Sequence, residues 1–135
     1  DFPYDAEPNI VFSQPLHYVY EPNAAIMKSG GYDSLGALLG LRKLAQHSHL
    51  FTSDELAEFP GRRFEVQEVL PYSKTEMQRL KGQKANITTR NFPDTVESIR
   101  KKWKIADGGD RYCFFTTDSA NRKIALLCAK IQNDR

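Results

Sequence analysis

From Arg62 to Ile131 the hydrophobic period of the chain keeps switching between two and about 3.6 residues, and that succession decides which folds are open to it. Arg62 to Leu70 alternates, with Phe64 and Val66 inward and Arg63, Glu65 and Gln67 outward, as a half-buried strand does. Ser73-Lys74-Thr75-Glu76 is a capping box, which predicts a helix to about Lys81 with Gly82 ending it. Alternation returns over Lys84 to Arg90: Ala85 and Ile87 face the core, and Lys84, Asn86, Thr88 and Arg90 share the other face. Asp94-Thr95-Val96-Glu97 is a second cap-like start, for a helix reaching about Ile105, with Val96, Ile99 and Trp103 on its core side. Gly108-Gly109 then turns the chain into two apolar strands, about 111–117 and 123–131, joined as a hairpin. The order β-α-β-α-β-β predicts an α+β (mixed α/β) fold, a mixed sheet with helices packed on it.

The first half is less regular. Residues 1–15 read as a linker or arm, 16–60 as a small strand-helix-helix segment, and 61–135 as the main domain. Ile10 to Tyr20 looks extended, broken by Pro15. Pro22 suits the first position of a short helix carrying Ile26 and Met27, which Gly30-Gly31 stops. A second helix is expected from Tyr32 to Lys43, with Tyr32, Leu35, Leu38 and Leu39 as its apolar stripe. His49 to Thr52 reads as a short strand, and Ser53 as the cap of a single turn before Phe59-Pro60-Gly61 breaks it.

A chain of 135 residues can bury roughly two thirds of its unfolded surface, so it needs no covalent staples. No apolar run is long enough to span a bilayer and no secretory signal is visible, which points to a cytoplasmic protein without a membrane partner. The opening DFPYDAEPN, extended and without a starting methionine, reads as a piece of something longer. Cys113 and Cys128 sit in the two apolar strands. If residues 118–123 form the turn they face each other and a disulfide is conceivable, but two buried free thiols suit a reducing compartment better.

Charge is divided unevenly. Residues 1–60 carry three basic and eight acidic side chains, residues 61–135 sixteen and nine. The richest stretch, Lys84 to Lys104, sets six basic residues (Lys84, Arg90, Arg100, Lys101, Lys102, Lys104) against Asp94 and Glu97. Solvated lysines paired along a helix, such as Glu97 with Lys101, are the bland explanation. A polyanion surface is the sharper one. The polar strand face leads through Asn91 to a helix start, where free N–H groups favour phosphate, although Asp94 already puts a carboxylate there. The candidate nucleic-acid contacts are Lys84, Asn86, Thr88, Arg90, Asn91, Arg100, Lys101 and Lys104, with Arg62, Arg63, Arg79 and Lys81 as extensions.

Covalent chemistry has little support. Ser53, Thr88, Thr89, Thr116 and Thr117 lack a convincing base partner, and no nucleophile elbow or glycine-rich nucleotide fingerprint is present. His47 and His49 have the spacing of a metal pair, but further ligands are not evident and no metal is expected.

Several runs are familiar in combination: YEPNAAIMKSG (20–30), LRKL with SHLFTS (41–53), FPGRRFEV (59–66), KANITTRNFP (84–93) and SIRKKWKIADGG (98–109). Together, over about residues 16–131, they resemble the C-terminal region of bacterial class I S-adenosylmethionine-dependent RNA methyltransferases, a THUMP-like domain preceded by a small ferredoxin-like segment. THUMP domains bind RNA and present it to a fused modifying domain. The resemblance implies a non-catalytic, RNA-binding domain that positions transfer or ribosomal RNA for a methyltransferase domain of the same polypeptide. S-adenosylmethionine would be held in that N-terminal domain, outside this chain. The alternative is a structural domain that packs on the methyltransferase core without touching RNA, through Phe12, Tyr18, Tyr32 and Phe51.

Overall fold

The computed structural model describes residues 10–132; the arm expected over residues 1–9 lies outside them. The elements are β1 (Val11–Phe12), β2 (Tyr18–Pro22), α1 (Ala24–Ser29), α2 (Tyr32–Leu38), β3 (Arg42–Lys43), β4 (Phe51–Ser53), β5 (Gly61–Pro71), α3 (Lys74–Met77) running into a 3-10 turn (Gln78–Leu80), β6 (Asn86–Arg90), α4 (Val96–Trp103), β7 (Arg111–Thr117) and β8 (Lys123–Lys130). All strands join one mixed sheet in the order β1-β3-β4-β2-β5-β8-β7-β6. The pairings β1–β3 and β6–β7 are parallel; the others are antiparallel. The second half is β-α-β-α-β-β as its pattern predicts.

Each sheet face has its own core. On one, Leu70, Cys113, Phe115, Ala125 and Leu127 are covered by Met77, Leu80, Ile99 and Ile105 from the helical layer. On the other, Phe64, Phe114, Ile124, Leu126 and Cys128 pack with Val19, Leu44 and Leu50. A third cluster, Tyr20, Leu41 and Phe51 with Tyr18, Tyr32 and Phe59, holds the first half together. Phe51, expected as a contact surface, is fully buried. Gly36 explains why: a Cβ there would overlap the Phe51 ring, so α2 lies directly on it.

Tertiary pairing overrides local signals in three places. Pro22 ends β2 opposite Gly61 instead of opening a helix, and α1 starts two residues later at Ala24, capped by Asn23, whose Oδ1 accepts the Ile26 N–H at 2.9 Å. At Gly61 any side chain would run into the carbonyl of Glu21. Helix α2 stops at Leu38 rather than Lys43, because Gly40 turns the chain at φ +71° into β3, which pairs with β4. Leu38 and Leu39 are therefore exposed, not part of a buried stripe. Ser53 ends β4 and donates to the Glu55 carbonyl at 2.7 Å; no helical turn follows it.

The β7–β8 register is one residue from that expected. Cys113 pairs with Leu127, and Tyr112 with Cys128, because the hairpin loop spans 118–122. Asp118 sets that length, its buried carboxylate accepting the N–H groups of Ala120 and Arg122, each at 2.9 Å. The one-residue shift puts the cysteines on opposite sheet faces, Cys113 in the first core and Cys128 in the second, so they cannot bridge. Burial pushes the Cys113 thiol up to about 12 and Cys128 higher still. Neither thiol should react with a disulfide reagent in the native protein at pH 8, and both should react on unfolding. Stoichiometric labelling of native protein would contradict this.

The buried Lys43 ammonium gathers a polar cluster at the start of α2. Lys43 Nζ donates to Asp33 Oδ1 and to the Gln46 carbonyl, both at 2.7 Å, and lies over the Tyr32 ring. His49, at φ +54°, packs against Tyr32 with ring centroids 4.3 Å apart and planes tilted by 60°. Burial, and next the Lys43 ammonium, hold the imidazole below its usual 6.5. The unfolded chain thus takes up a proton where the folded one does not, so stability is full above 6.5 and falls as pH drops. His49→Asn, which tolerates positive φ, should flatten the fall in Tm between about pH 7 and pH 5. An unchanged pH profile would locate the dependence elsewhere.

Candidate nucleic-acid interface

Strand β6 is the sheet edge, and its register divides the sequence-derived site in two. Asn86 and Thr88 lie beside Tyr112 and Phe114 of the second core, whereas Ile87 lies beside Cys113 of the first. The side chains of Asn86, Thr88 and Arg90 therefore share the face away from α4. Helix α4, with Ile99 and Trp103, covers the opposite face. The single electropositive ridge expected from the sequence is two surfaces.

Several of its members also have intramolecular work. Arg90 donates to the Thr89 carbonyl and forms an ion pair with Glu21 Oε2. Arg62 Nε meets the other oxygen of the same carboxylate at 2.6 Å, and Glu21 is only 8% exposed. Arg100 laces the end of α4 to the next loop, donating to the Ala85 and Ile105 carbonyls and pairing with Asp107 at 3.0 Å. Asn86 Nδ2 donates to the carbonyls of Gly109 and Arg111. Asn91, at φ +54°, gives its carbonyl to the Thr117 hydroxyl at 2.6 Å. Of the extensions, Arg63 is buried and donates to the Ala57 carbonyl, and Arg79 pairs with Glu68 and Glu76.

The start of α4 is also taken. Thr95, not Asp94, is the cap, its Oγ1 accepting the Ser98 N–H. Asp94 instead accepts the Tyr72 hydroxyl at 3.0 Å, and Tyr72 accepts from Trp103 Nε1 at 3.0 Å. This chain ties both ends of α4 to the end of β5. Edge-to-face packing of Tyr72 with Phe92, Trp103 and Phe115 reinforces it.

The lysines behave differently. Lys84, Lys101 and Lys104 are exposed and form no ion pair among the described residues, and Glu97 does not neutralise Lys101. The same holds for Lys74, Lys81 and Lys102. Lys74, Lys81, Lys102 and Lys104 line a recess of about 210 Å³ beside Trp103, over whose ring Lys102 Nζ sits at 5.1 Å. Sequence reasoning left Lys102 out of the contacts and missed Lys74 altogether. The signal was available, since the capping box places it in the first turn of a helix whose buried Met77 and Leu80 dock on the core that α4 covers. Complementing the dipole at the end of α4 explains Lys101 and Lys102 in part. It does not explain lysines converging from two helices.

The profile of the THUMP domain-like family matches residues 61–130, β5 to β8 with their helices. The chain belongs to the THUMP domain-like family. A ferredoxin-like domain profile matches residues 18–60. The two matched segments share one sheet, through the pairing of β2 with β5. A crystal structure of a "putative methyltransferase" from Porphyromonas gingivalis W83 superimposes with a TM-score of 0.86 at 37% identity, over 92% of this chain. The chain spans 32% of that protein's length. No curated protein matches it. Among the described residues no helix is long and apolar enough to cross a membrane, and no three His, Cys, Asp or Glu side chains gather as metal ligands would.

Proposed function

We propose that this THUMP-like chain is the RNA-holding, substrate-positioning part of a methyltransferase and supplies no catalytic group of its own. The observation that carries this reading is the lysine-lined recess. Four lysines that form no ion pair among the described residues line it beside an indole, with Lys101 on the same helix as Lys102, on a helical layer that a half-buried Trp103–Tyr72–Asp94 chain ties to the end of β5. Flexible lysines around a shallow recess suit the phosphates of a polyanion and read no sequence. The reaction would belong to an N-terminal S-adenosylmethionine-binding domain of the same polypeptide, with transfer or ribosomal RNA as substrate.

The test is a fluorescence-anisotropy titration of a labelled RNA duplex over a range of salt. With about five phosphate contacts, log K should fall against log salt with a slope of roughly −4.5, and scrambling the duplex sequence should change little. Absence of binding at low salt would overturn the reading in favour of a domain that only packs on the catalytic core. The exposed Leu38 and Leu39 at the end of α2 are what favour that second reading.

A further inference from the structure

On the sheet face away from α4, the ferredoxin-like and THUMP-like segments meet around an open recess of about 620 Å³. Its charged lining is Lys28, Arg62, Arg90 and Glu21, Asn23 is its one uncharged polar side chain, and Pro22 and Met27 give it an apolar wall. We propose that this recess binds a phosphate monoester carried on a nucleoside-sized group.

Sign comes first. Three cations face one carboxylate, and that carboxylate is used up in holding two of them: Oε1 takes Arg62 Nε, Oε2 takes Arg90 Nη2. The surplus of two positive charges matches a phosphate dianion better than a carboxylate, and it repels a metal ion. Geometry comes second. Arg62 spends only Nε on Glu21, which leaves its two Nη groups, the fork that meets two oxygens of one phosphate, without a partner among the described residues. Its guanidinium lies over the Phe64 and Tyr112 rings, 5.2 and 5.7 Å from their centroids, so the fork is held in plane before a ligand arrives. Lys28 is exposed at the rim and forms no ion pair among the described residues. Size comes third: the volume is that of a site for a small organic ligand, well above what a bare phosphate fills. The recess lies on the other side of the sheet from the lysine cluster, so the inference does not rest on the RNA-docking reading.

The chain should be titrated by calorimetry with adenosine 5′-monophosphate and with adenosine, and in a second arm with a short oligoribonucleotide with and without a 5′-terminal phosphate. Saturable binding of the monophosphate but not of adenosine is expected. Arg62→Gln and Lys28→Ala should each weaken it roughly tenfold. Because Arg62 also braces Glu21, its variant is read only where the folded far-UV spectrum is retained; Lys28 has no such role and keeps the test decisive. If the phosphorylated oligonucleotide binds more tightly than the monophosphate, the source is an RNA end; if not, it is a free nucleotide. Equal behaviour of monophosphate and adenosine, or no effect of Lys28→Ala, would overturn the proposal. Loss of monophosphate binding with duplex binding intact sinks this inference alone, and the reverse result sinks the earlier one alone.

Discussion

Glu21→Ala should lower the unfolding midpoint by roughly 6–12 °C, corresponding to about 2–3 kcal/mol for a chain of this length. The carboxylate is 8% exposed and meets a guanidinium at each oxygen, Arg62 from the neighbouring strand β5 and Arg90 from the far edge strand β6. It comes from the ferredoxin-like segment; both arginines come from the THUMP-like one. Removing one partner of a fully buried pair costs about 3–5 kcal/mol, because the other charge is left dry. Here Arg62 and Arg90 are 38% and 31% exposed, so each can turn to water and the cost is lower. Glu21→Gln keeps the volume and an acceptor for one arginine, and should lose about half as much. Coupling in a Glu21→Ala, Arg62→Ala cycle would separate the ion pair from the packing of the glutamate stem. A midpoint within about 2 °C of the native protein would mean that the carboxylate is solvated and the seam is held by the β2–β5 ladder alone.

What the sequence could disclose followed from how local each cause was. The Ser73 half of the capping box forms, with Oγ accepting the Glu76 N–H three residues on, while the Glu76 carboxylate turns to Arg79 and the Ser73 N–H to the Pro71 carbonyl. The paired apolar strands likewise declared themselves by their own composition. Pro22 misled because its role is set by Gly61, a partner strand away, and not by the helix that follows it. The hairpin register turned on whether Asp118 closes the loop with its side chain, a question that hydrophobic period cannot answer. Arg90 shows the limit for the site. Its charge and its face were legible, but its carboxylate partner is 69 residues away in sequence. The lysines needed no partner to be found, so they were legible, although their convergence with Lys74 was not.

A Lys74→Ala, Lys81→Ala, Lys102→Ala, Lys104→Gly variant should lose on the order of a hundredfold in affinity for duplex RNA at low salt, with the salt slope collapsing toward −1. Both effects come from one count. Four phosphate contacts contribute a slope of roughly −3.6, so raising the salt fourfold weakens native binding by about two orders of magnitude, a loss the variant should largely escape because those contacts no longer release counterions. Lys104 allows the charge effect to be separated from folding. It caps α4 in the left-handed region, at φ 59° and ψ 48°, a conformation that strains any residue with a Cβ and suits glycine. Lys104→Gly alone should therefore stabilise the fold by up to about 1 kcal/mol while weakening RNA binding, a combination that partial unfolding cannot produce. Lys102→Ala leaves the Trp103–Tyr72–Asp94 chain untouched, so its midpoint should hardly move. Should the fourfold variant keep both its affinity and its slope, the polyanion is held elsewhere. The remaining cations would then have to be sought on the opposite sheet face, around Arg62 and Lys28.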